Sequence, residues 1–175
     1  MAIKTIFLDR DGVINKEINY LYKKNDFIFI NGIFEACLYF QSQGYKIIIV
    51  TNQSGIHRGY YNEEDFKLLS DWMCSKFINQ GINILDIFHC PHDPKSNCDC
   101  RKPKPGMFFK AQQKYNINMN KSWMIGDKEV DIKAANAAGI KKTILVRSGH
   151  PIDETNSKSR FIIDSIKDST NIIEN

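Results

Sequence analysis

The stretch KTIFLDRDGV, residues 4–13, is an apolar run that ends in two aspartates and a glycine. Short runs of β-branched and aromatic residues are typical of strands that are covered on both faces. Four further segments share the pattern, so we predict strands at residues 4–9, 46–51, 84–90, 123–127 and 142–147. A last run at residues 161–166 is a candidate for one more strand.

Helical patterns lie between most of these strands. We predict helices at residues 32–43, 62–80, 105–115 and 129–138. The second begins at Asn62, with Asp65 three residues later, and ends before Gly81, which are typical cap residues. Strands that alternate with helices predict an α/β fold, with a Rossmann-like, mostly parallel sheet and helices on both faces.

Two segments interrupt this alternation. Residues 15–30 are polar and aromatic without a helical period, which suggests a hairpin-like flap, and residues 91–105 contain four prolines and form a long loop. The chain has 175 residues, a length that suits one domain, and we predict a single domain over residues 1–175.

Composition and charge restrict the class of protein. Hydrophobic residues make up 42% and charged residues 25%, which is typical of a folded globular chain. The net charge of +4 suits a small anionic substrate and is too low to indicate nucleic acid. No apolar run exceeds five residues, and a membrane span needs about 20. The N-terminal residues lack the pattern of a signal peptide, so we expect a cytoplasmic protein that binds no membrane.

Polar residues follow three of the predicted strands. Asp9 and Asp11 follow the first, Thr51 and Asn52 close the second, and Asp127 follows the fourth, with Asp131 one turn later. Each fragment alone is also typical of a turn or a helix cap. Ligands bind at the carboxyl ends of strands in open α/β sheets, so their joint occurrence there favours a functional site.

Clustered carboxylates repel one another unless a cation neutralises them, and hard oxygen ligands favour Mg²⁺. Asp9 could then attack phosphorus as a covalent nucleophile. Asp11 could act as general acid and then general base. Thr51 and Asn52 would donate hydrogen bonds to phosphate oxygens, and a nearby lysine would offset developing charge.

At these residues the chain resembles the haloacid dehalogenase superfamily of aspartate-nucleophile phosphohydrolases. The resemblance rests on FLDRDGV at residues 7–13, TN at 51–52, Lys102, and GD at 126–127 followed by Asp131. It implies that Asp9 is the nucleophile and a Mg²⁺ ligand and that Asp11 is the acid/base and binds the metal through its carbonyl. It further implies that Asp127 completes the Mg²⁺ site with support from Asp131, and that Lys102 contacts the phosphoryl group.

Cysteine and histidine cluster in the proline-rich loop. Cys90, His92, Cys98 and Cys100 supply three sulfurs and one imidazole, a set that suits a closed, structural Zn²⁺ site. The alternative is scattered thiols beside a surface histidine. The metal would fold the loop and place Arg101 and Lys102 at the site. The other histidines have no such partners, and we expect His89 at a strand end and His57 and His150 exposed.

Two zinc-containing branches of the superfamily are similar to this chain, the heptose bisphosphate phosphatases and the histidinol-phosphate phosphatases. TNQSGIHRG at residues 51–59, RKPKPGM at 101–107 and VRSGHP at 146–151 are more similar to the heptose branch. That branch implies a minimal cap, a monomer and removal of the C7 phosphate of a heptose 1,7-bisphosphate for surface polysaccharide synthesis. We add Gln53, Arg58, Arg101 and Lys128 as substrate-binding residues, with Lys104 nearby.

Two alternatives stay open at this point. One is a histidinol-phosphate phosphatase, whose pocket should offer an acceptor or carboxylate to a cationic amine. The other is a nucleic-acid binding module built on the zinc loop. Against the second, all the catalytic motifs are intact and the basic residues are spread through the chain.

Overall fold

A sheet of six parallel strands forms the centre of the computed structural model, which describes residues 1–173. The strands are β1 (Thr5–Leu8), β2 (Lys46–Asn52), β3 (Ile84–Cys90), β4 (Trp123–Gly126), β5 (Lys142–Val146) and β6 (Phe161–Ile163). Their order in the sheet is β3-β2-β1-β4-β5-β6, and every neighbouring pair is parallel. Strands β2 and β3 therefore lie on one side of β1, and β4, β5 and β6 lie on the other side. The carboxyl ends of β1 and β4 therefore flank the switch point where such sheets bind ligands.

Four helices connect the strands: α1 (Ile33–Ser42), α2 (Glu63–Asn79), α3 (Gly106–Tyr115) and α4 (Glu129–Ala137). Each lies within two residues of its predicted bounds. The Asn62 side chain accepts a hydrogen bond from the Asp65 backbone at 2.9 Å, and Asp65 accepts one from the Asn62 backbone at 3.0 Å. This reciprocal cap starts α2 where the sequence predicts it. Short 3₁₀ turns lie at Lys24–Asp26, Met119–Lys121, Glu154–Asn156 and Ile166–Asn171.

The sheet is covered on both faces, as predicted. Ile6 and Leu8 of β1 pack in one core cluster with α1 and α2, whereas Phe7 packs in a second cluster with α3 and α4. Successive side chains of a strand point to opposite faces, which is why one apolar run supplies both cores. The rigid sheet between them fixes where the strand ends lie.

Residues 15–30, the flap, form a hairpin-like excursion without extended strands. The backbone N–H of Lys16 donates to the Ile28 carbonyl at 2.8 Å, and an antiparallel bridge joins Asn15 to Phe29. The ring of Phe29 lies 6.0 Å from that of Trp72 on α2, centroid to centroid. Aromatic packing thus anchors the flap on α2 beside the carboxyl edge of the sheet. Among the described residues, no helix combines the length and apolar character needed to cross a bilayer.

Candidate active site

Three predicted carboxylates meet at the switch point. Asp9 follows β1 and Asp127 follows β4, and these strands are direct neighbours, with Leu8 paired to Ile125. Asp131 reaches the same place from the first turn of α4. Oxygen atoms of Asp9, Asp127 and Asp131 all lie within 4.8 Å of one another, and all three residues are buried. Such a cluster needs nearby positive charge.

Burial, with repulsion between the carboxylates as a smaller cause, raises the pKa of each of these groups. Burial, reinforced by the negative charge of Asp131 and opposed by Lys102, raises the pKa of Asp9 to about 6. Burial is also the largest factor that raises the pKa of Asp127 and of Asp131. Each carboxylate is therefore harder to ionise here than in water, and a bound cation would reverse this effect.

Lys102 supplies one positive charge to the cluster. Its Nζ lies 3.0 Å from Oδ1 of Asp9, 2.6 Å from Oδ1 of Asp131 and 2.8 Å from the carbonyl of Val50. Burial favours the neutral amine, but Asp131 and Asp9 outweigh it and raise the pKa of Lys102. The ammonium group is thus charged and held at the predicted nucleophile.

Asn52 positions Lys102 through the backbone. Its Nδ2 donates to the Lys102 carbonyl at 3.2 Å, and its Oδ1 accepts from the Lys102 N–H at 3.1 Å. The sequence predicts Asn52 as a donor to phosphate, and that role stays a prediction. In the structure its side chain joins the end of β2 to the proline-rich loop.

The Asp11 carboxylate is oriented by three side chains. Nη2 of Arg10 donates to Oδ1 at 2.8 Å, Nδ2 of Asn15 donates to Oδ1 at 3.0 Å, and Nε2 of Gln53 donates to Oδ2 at 3.1 Å. Nε2 of Gln53 also donates to Oγ1 of Thr51 at 2.8 Å. These hydrogen bonds hold the carboxylate of Asp11, the predicted acid/base, in a fixed orientation two residues after Asp9.

The residues present fit a Mg²⁺ ion. Oδ1 of Asp127 is buried and, within residues 1–173, has no hydrogen-bond partner, while Oδ2 of the same carboxylate accepts two hydrogen bonds. Asp131 is engaged on both oxygens, by Lys102 and by the backbone N–H of Lys128 at 3.0 Å. Asp9 and Asp127 are thus the carboxylates available to a metal, and Asp131 supports them.

The predicted zinc ligands also converge. Sγ of Cys90 lies 3.7 Å from Sγ of Cys98 and 2.9 Å from Sγ of Cys100, and Nδ1 of His92 lies 3.3 Å from Sγ of Cys100. Two sulfurs on a tetrahedral Zn²⁺ with Zn–S bonds of ~2.3 Å are about 3.7 Å apart. The donor set, its convergence and the Cys90–Cys98 separation fit a structural zinc ion, whereas Cys90 and Cys100 lie closer together than two sulfur ligands of one tetrahedral ion. The four residues are not scattered.

A cavity of about 370 Å³ lies above the cluster. Asp9, Asp11, Lys102 and Asp127 line it together with five predicted substrate-binding residues and part of the flap. The five are Asn52, Gln53, Arg58, Arg101 and Lys128, and the flap contributes residues 17–21.

Two predicted positions lie outside the lining. Thr51 is 1% exposed and sits behind Gln53, so its contact with phosphate stays a prediction. Lys104, expected near the anion site, instead donates from Nζ to the carbonyl of Cys98 at 2.6 Å on the exposed side of the loop.

Sequence reasoning missed two residues of the cavity. We expected His150 to be exposed, which is wrong, because its Nδ1 lies 2.6 Å from Oδ2 of Asp127 and its side chain is 30% exposed. Glu17 lines the cavity from the flap, and burial, reinforced by Asp11 and opposed by His150, raises its pKa to about 7. The only indication in the sequence is that Glu17 lies in the flap and that His150 lies in the VRSGHP motif at residues 146–151.

Comparisons with known proteins agree with this geometry. The profile of the HAD-hydrolase-like family matches residues 99–169. A D-glycero-beta-D-manno-heptose-1,7-bisphosphate 7-phosphatase of Vibrio cholerae is 47% identical over 176 residues, covering 96% of this chain and 95% of the relative. The corresponding alpha enzyme of Photorhabdus laumondii is 48% identical and covers 87% of both chains.

A solved structure extends the comparison to three dimensions. The D,D-heptose 1,7-bisphosphate phosphatase from B. bronchiseptica, complexed with magnesium and phosphate, superposes with a TM-score of 0.85 at 28% identity. The match covers 97% of each chain. The similarity therefore includes the sheet, the flap and the proline-rich loop that surround the cavity. The chain is a phosphatase that belongs to the heptose-1,7-bisphosphate 7-phosphatase family of HAD-like hydrolases.

Proposed function

We propose that the protein removes the C7 phosphate of D-glycero-D-manno-heptose 1,7-bisphosphate, with Mg²⁺, through an aspartyl-phosphate on Asp9. The observation that carries the proposal is the contact of Lys102 with Asp9 inside a buried carboxylate cluster, on the wall of a cavity that Arg58 and Arg101 also line. The similarity to heptose bisphosphate phosphatases over most of the chain supports the choice of substrate.

The chemistry takes two displacements. An Asp9 oxygen bonds to phosphorus as the bond between phosphorus and the C7 oxygen breaks, and Asp11 gives its proton to that oxygen. A water oxygen then bonds to phosphorus as the Asp9 bond breaks, and Asp11 takes the proton of the water. The products are heptose 1-phosphate and inorganic phosphate.

Lys102 and the Mg²⁺ site serve the phosphoryl group. Lys102, held by Asn52, offers a charged donor beside Asp9, where negative charge develops. Asp9, Asp127 and the Asp11 carbonyl would hold Mg²⁺, which when bound neutralises the carboxylates and draws charge from the phosphoryl oxygens. The magnesium in the similar B. bronchiseptica structure supports this assignment.

The second phosphate and the sugar occupy the rest of the cavity. Arg58 and Arg101 suit an anion that is bound and not cleaved, because a guanidinium can bind phosphate through two hydrogen bonds. Arg101 is oriented by a hydrogen bond from Nη1 to the His92 carbonyl at 3.0 Å, so the zinc loop sets its direction. Gln53, Lys128 and the flap residues line the space for the sugar.

One observation favours the alternative substrate, histidinol phosphate. Glu17 lines the cavity and offers a carboxylate that a cationic amine could approach. The same carboxylate can accept hydrogen bonds from sugar hydroxyls, and the basic residues opposite it suit a second phosphate. The heptose substrate therefore remains the proposal.

We further propose that residues 1–175 act as one catalytic domain and as a monomer in the cytoplasm, in heptose supply for surface polysaccharides. Residues 174 and 175 lie outside the described part of the chain. Zinc ligation by cysteines that form no disulfide suits a reducing compartment.

The deciding experiment measures kcat/KM for both anomers of heptose 1,7-bisphosphate and for histidinol phosphate, with and without Mg²⁺. We expect one heptose anomer to be the best substrate, Mg²⁺ to be required, and Asp9→Asn to abolish turnover. An acid quench of a single turnover with ³²P at C7 should trap labelled protein in the wild type and none in Asp9→Asn. A preference for histidinol phosphate would overturn the substrate assignment, and the absence of a labelled protein would overturn the covalent route.

A further inference from the structure

The loop after β5 contacts the candidate metal site in three places. Oγ of Ser148 donates to the carbonyl of Gly12 at 2.7 Å, and the backbone N–H of His150 donates to Oδ2 of Asp127 at 3.0 Å. Between them, Gly149 packs so closely on Asp127 that a Cβ there would overlap Oδ2. The loop therefore makes direct contacts with Gly12 and Asp127 at the candidate metal site.

The His150 ring adds a second hydrogen bond to the same oxygen. Its Nδ1 lies 2.6 Å from Oδ2 of Asp127, and with Asp127 ionised Nδ1 is the donor, because a carboxylate oxygen accepts. The opposite nitrogen, Nε2, lies 3.7 Å from Oε1 of Glu17 on the flap. The Nδ1 contact is a hydrogen bond and orients the imidazole, whereas the longer Nε2 contact only places the ring beside the Glu17 carboxylate.

These contacts leave the two oxygens of Asp127 unequal. Oδ2 is enclosed by His150 and Gly149, and on its other side a Cβ at Gly12 would also overlap it. Oδ1 is buried and has no hydrogen-bond partner in the described chain. The carboxylate is thus held in one rotation, and Oδ1 is the oxygen left without a hydrogen bond inside the buried carboxylate cluster.

We infer that His150 is a positioning residue that orients the Asp127 carboxylate for Mg²⁺, an inference that rests on the proposed function. Hydrogen-bonding partners behind a metal ligand restrict its orientation, and their loss typically costs about 10–100-fold in metal affinity or activity. The backbone N–H of His150 remains in any side-chain variant, so we expect His150→Ala to lower Mg²⁺ affinity about tenfold.

The test measures divalent-cation binding by calorimetry, independently of turnover, in the zinc-loaded protein. His150→Ala should weaken Mg²⁺ binding, and His150→Phe, which fills the space without a donor, should weaken it equally. His150→Asn should recover most of the affinity, since its Nδ2 can donate where Nδ1 did. The control is His57→Ala, an exposed histidine outside the cavity lining, which should bind Mg²⁺ like the wild type.

The outcomes separate this inference from the proposed function. If the wild type binds no divalent cation, the proposed Mg²⁺ chemistry fails. If the wild type binds Mg²⁺ and His150→Phe binds it equally well, only the role of His150 is overturned. If Phe and Asn variants are impaired to the same degree with unchanged Tm and zinc content, packing and not hydrogen bonding is responsible, and the inference is wrong.

Discussion

Lys102 and Asp9 are 93 residues apart in the chain, yet Nζ of Lys102 donates to Oδ1 of Asp9 at 3.0 Å in a buried ion pair. A lysine is rarely buried without a partner, and here two carboxylates and a carbonyl surround the ammonium group. The pair links the end of β1 to the proline-rich loop, so the candidate catalytic carboxylates are in direct contact with the loop that carries the predicted zinc ligands.

Replacing Lys102 by Met should reduce both activity and stability. The change removes a donor beside the reacting phosphate, so we expect kcat to fall about 10²–10³-fold. It also leaves Asp9 and Asp131 without their shared counter-charge, and breaking a buried pair costs ~3–5 kcal/mol of unfolding free energy. Lys104→Met, on the exposed side of the same loop, is the matched control and should change kcat less than threefold. Equal activity in both variants would contradict the role of Lys102.

Asp11→Asn should retain substrate binding and lose proton transfer. The amide still fills the space among Arg10, Asn15 and Gln53, but it cannot carry a proton to the leaving oxygen. General acid–base catalysis contributes about 10²–10⁴-fold, and we expect kcat to fall by that factor with KM nearly unchanged. A loss of kcat below tenfold would show that another group protonates the leaving C7 oxygen of the sugar.

Arg58→Ala tests the site of the uncleaved phosphate. Its guanidinium lies 5.9 Å from the ring of Tyr20, and both residues line the cavity. Loss of one charge-assisted hydrogen bond costs ~1.5–3 kcal/mol, so kcat/KM for the bisphosphate should fall about 10–150-fold. A simple phosphate monoester does not reach that position and serves as the control substrate. An equal loss on both substrates would place Arg58 at the cleaved phosphate instead.

Cys98→Ala should release the zinc and loosen residues 91–105. We expect about one Zn²⁺ per chain in the wild type by elemental analysis and much less in the variant. Hydrogen exchange should accelerate in the loop while β1 and β4 stay protected, because most of the residues that build their two cores lie outside the loop. Activity should fall, since Lys102 and Arg101 lie on the loop. Cys74→Ala, outside the cluster, should keep its zinc, and the absence of zinc from the wild type would refute the site.

Asp86 makes a contribution to stability that should depend on pH. Burial raises its pKa, but hydrogen bonds from Lys114 and Tyr115, both 2.8 Å from Oδ2, outweigh burial and lower it. A carboxyl group with a depressed folded pKa stabilises the fold above its unfolded pKa of ~3.9. That stabilisation disappears as the pH falls through the folded pKa.

The measurement compares the unfolding free energy of Asp86→Asn and wild type between pH 7 and pH 3. The difference should be about 1 kcal/mol or less at pH 7, because Lys114 is exposed, and should shrink toward pH 3. Asp71→Asn, which breaks the exposed pair with Lys67, is the control and should leave the unfolding free energy nearly unchanged at either pH. A difference for Asp86→Asn that grows on acidification would contradict the assignment.

Much of the site could be predicted because its residues follow strands. Asp9 and Asp127 follow strands, and the parallel sheet brings the ends of β1 and β4 together whatever lies between them. Lys102 lies on the proline-rich loop and is predicted only through the family resemblance. The same reasoning could not find the contacts of His150 or Glu17. His150 lies in the motif VRSGHP, but the motif does not show that its side chain reaches Asp127, and both contacts depend on where the loop after β5 and the flap lie in the fold.

The sequence alone determined the strands, the helices and the zinc ligand set, because hydrophobic period, cap residues and ligand spacing act over a few neighbouring residues. Tertiary structure decided that β4 lies beside β1, that Asn52 holds the backbone of Lys102, and that His150 reaches Asp127. These contacts join segments far apart in the chain. They form only when both faces of the sheet are packed, so no local pattern encodes them.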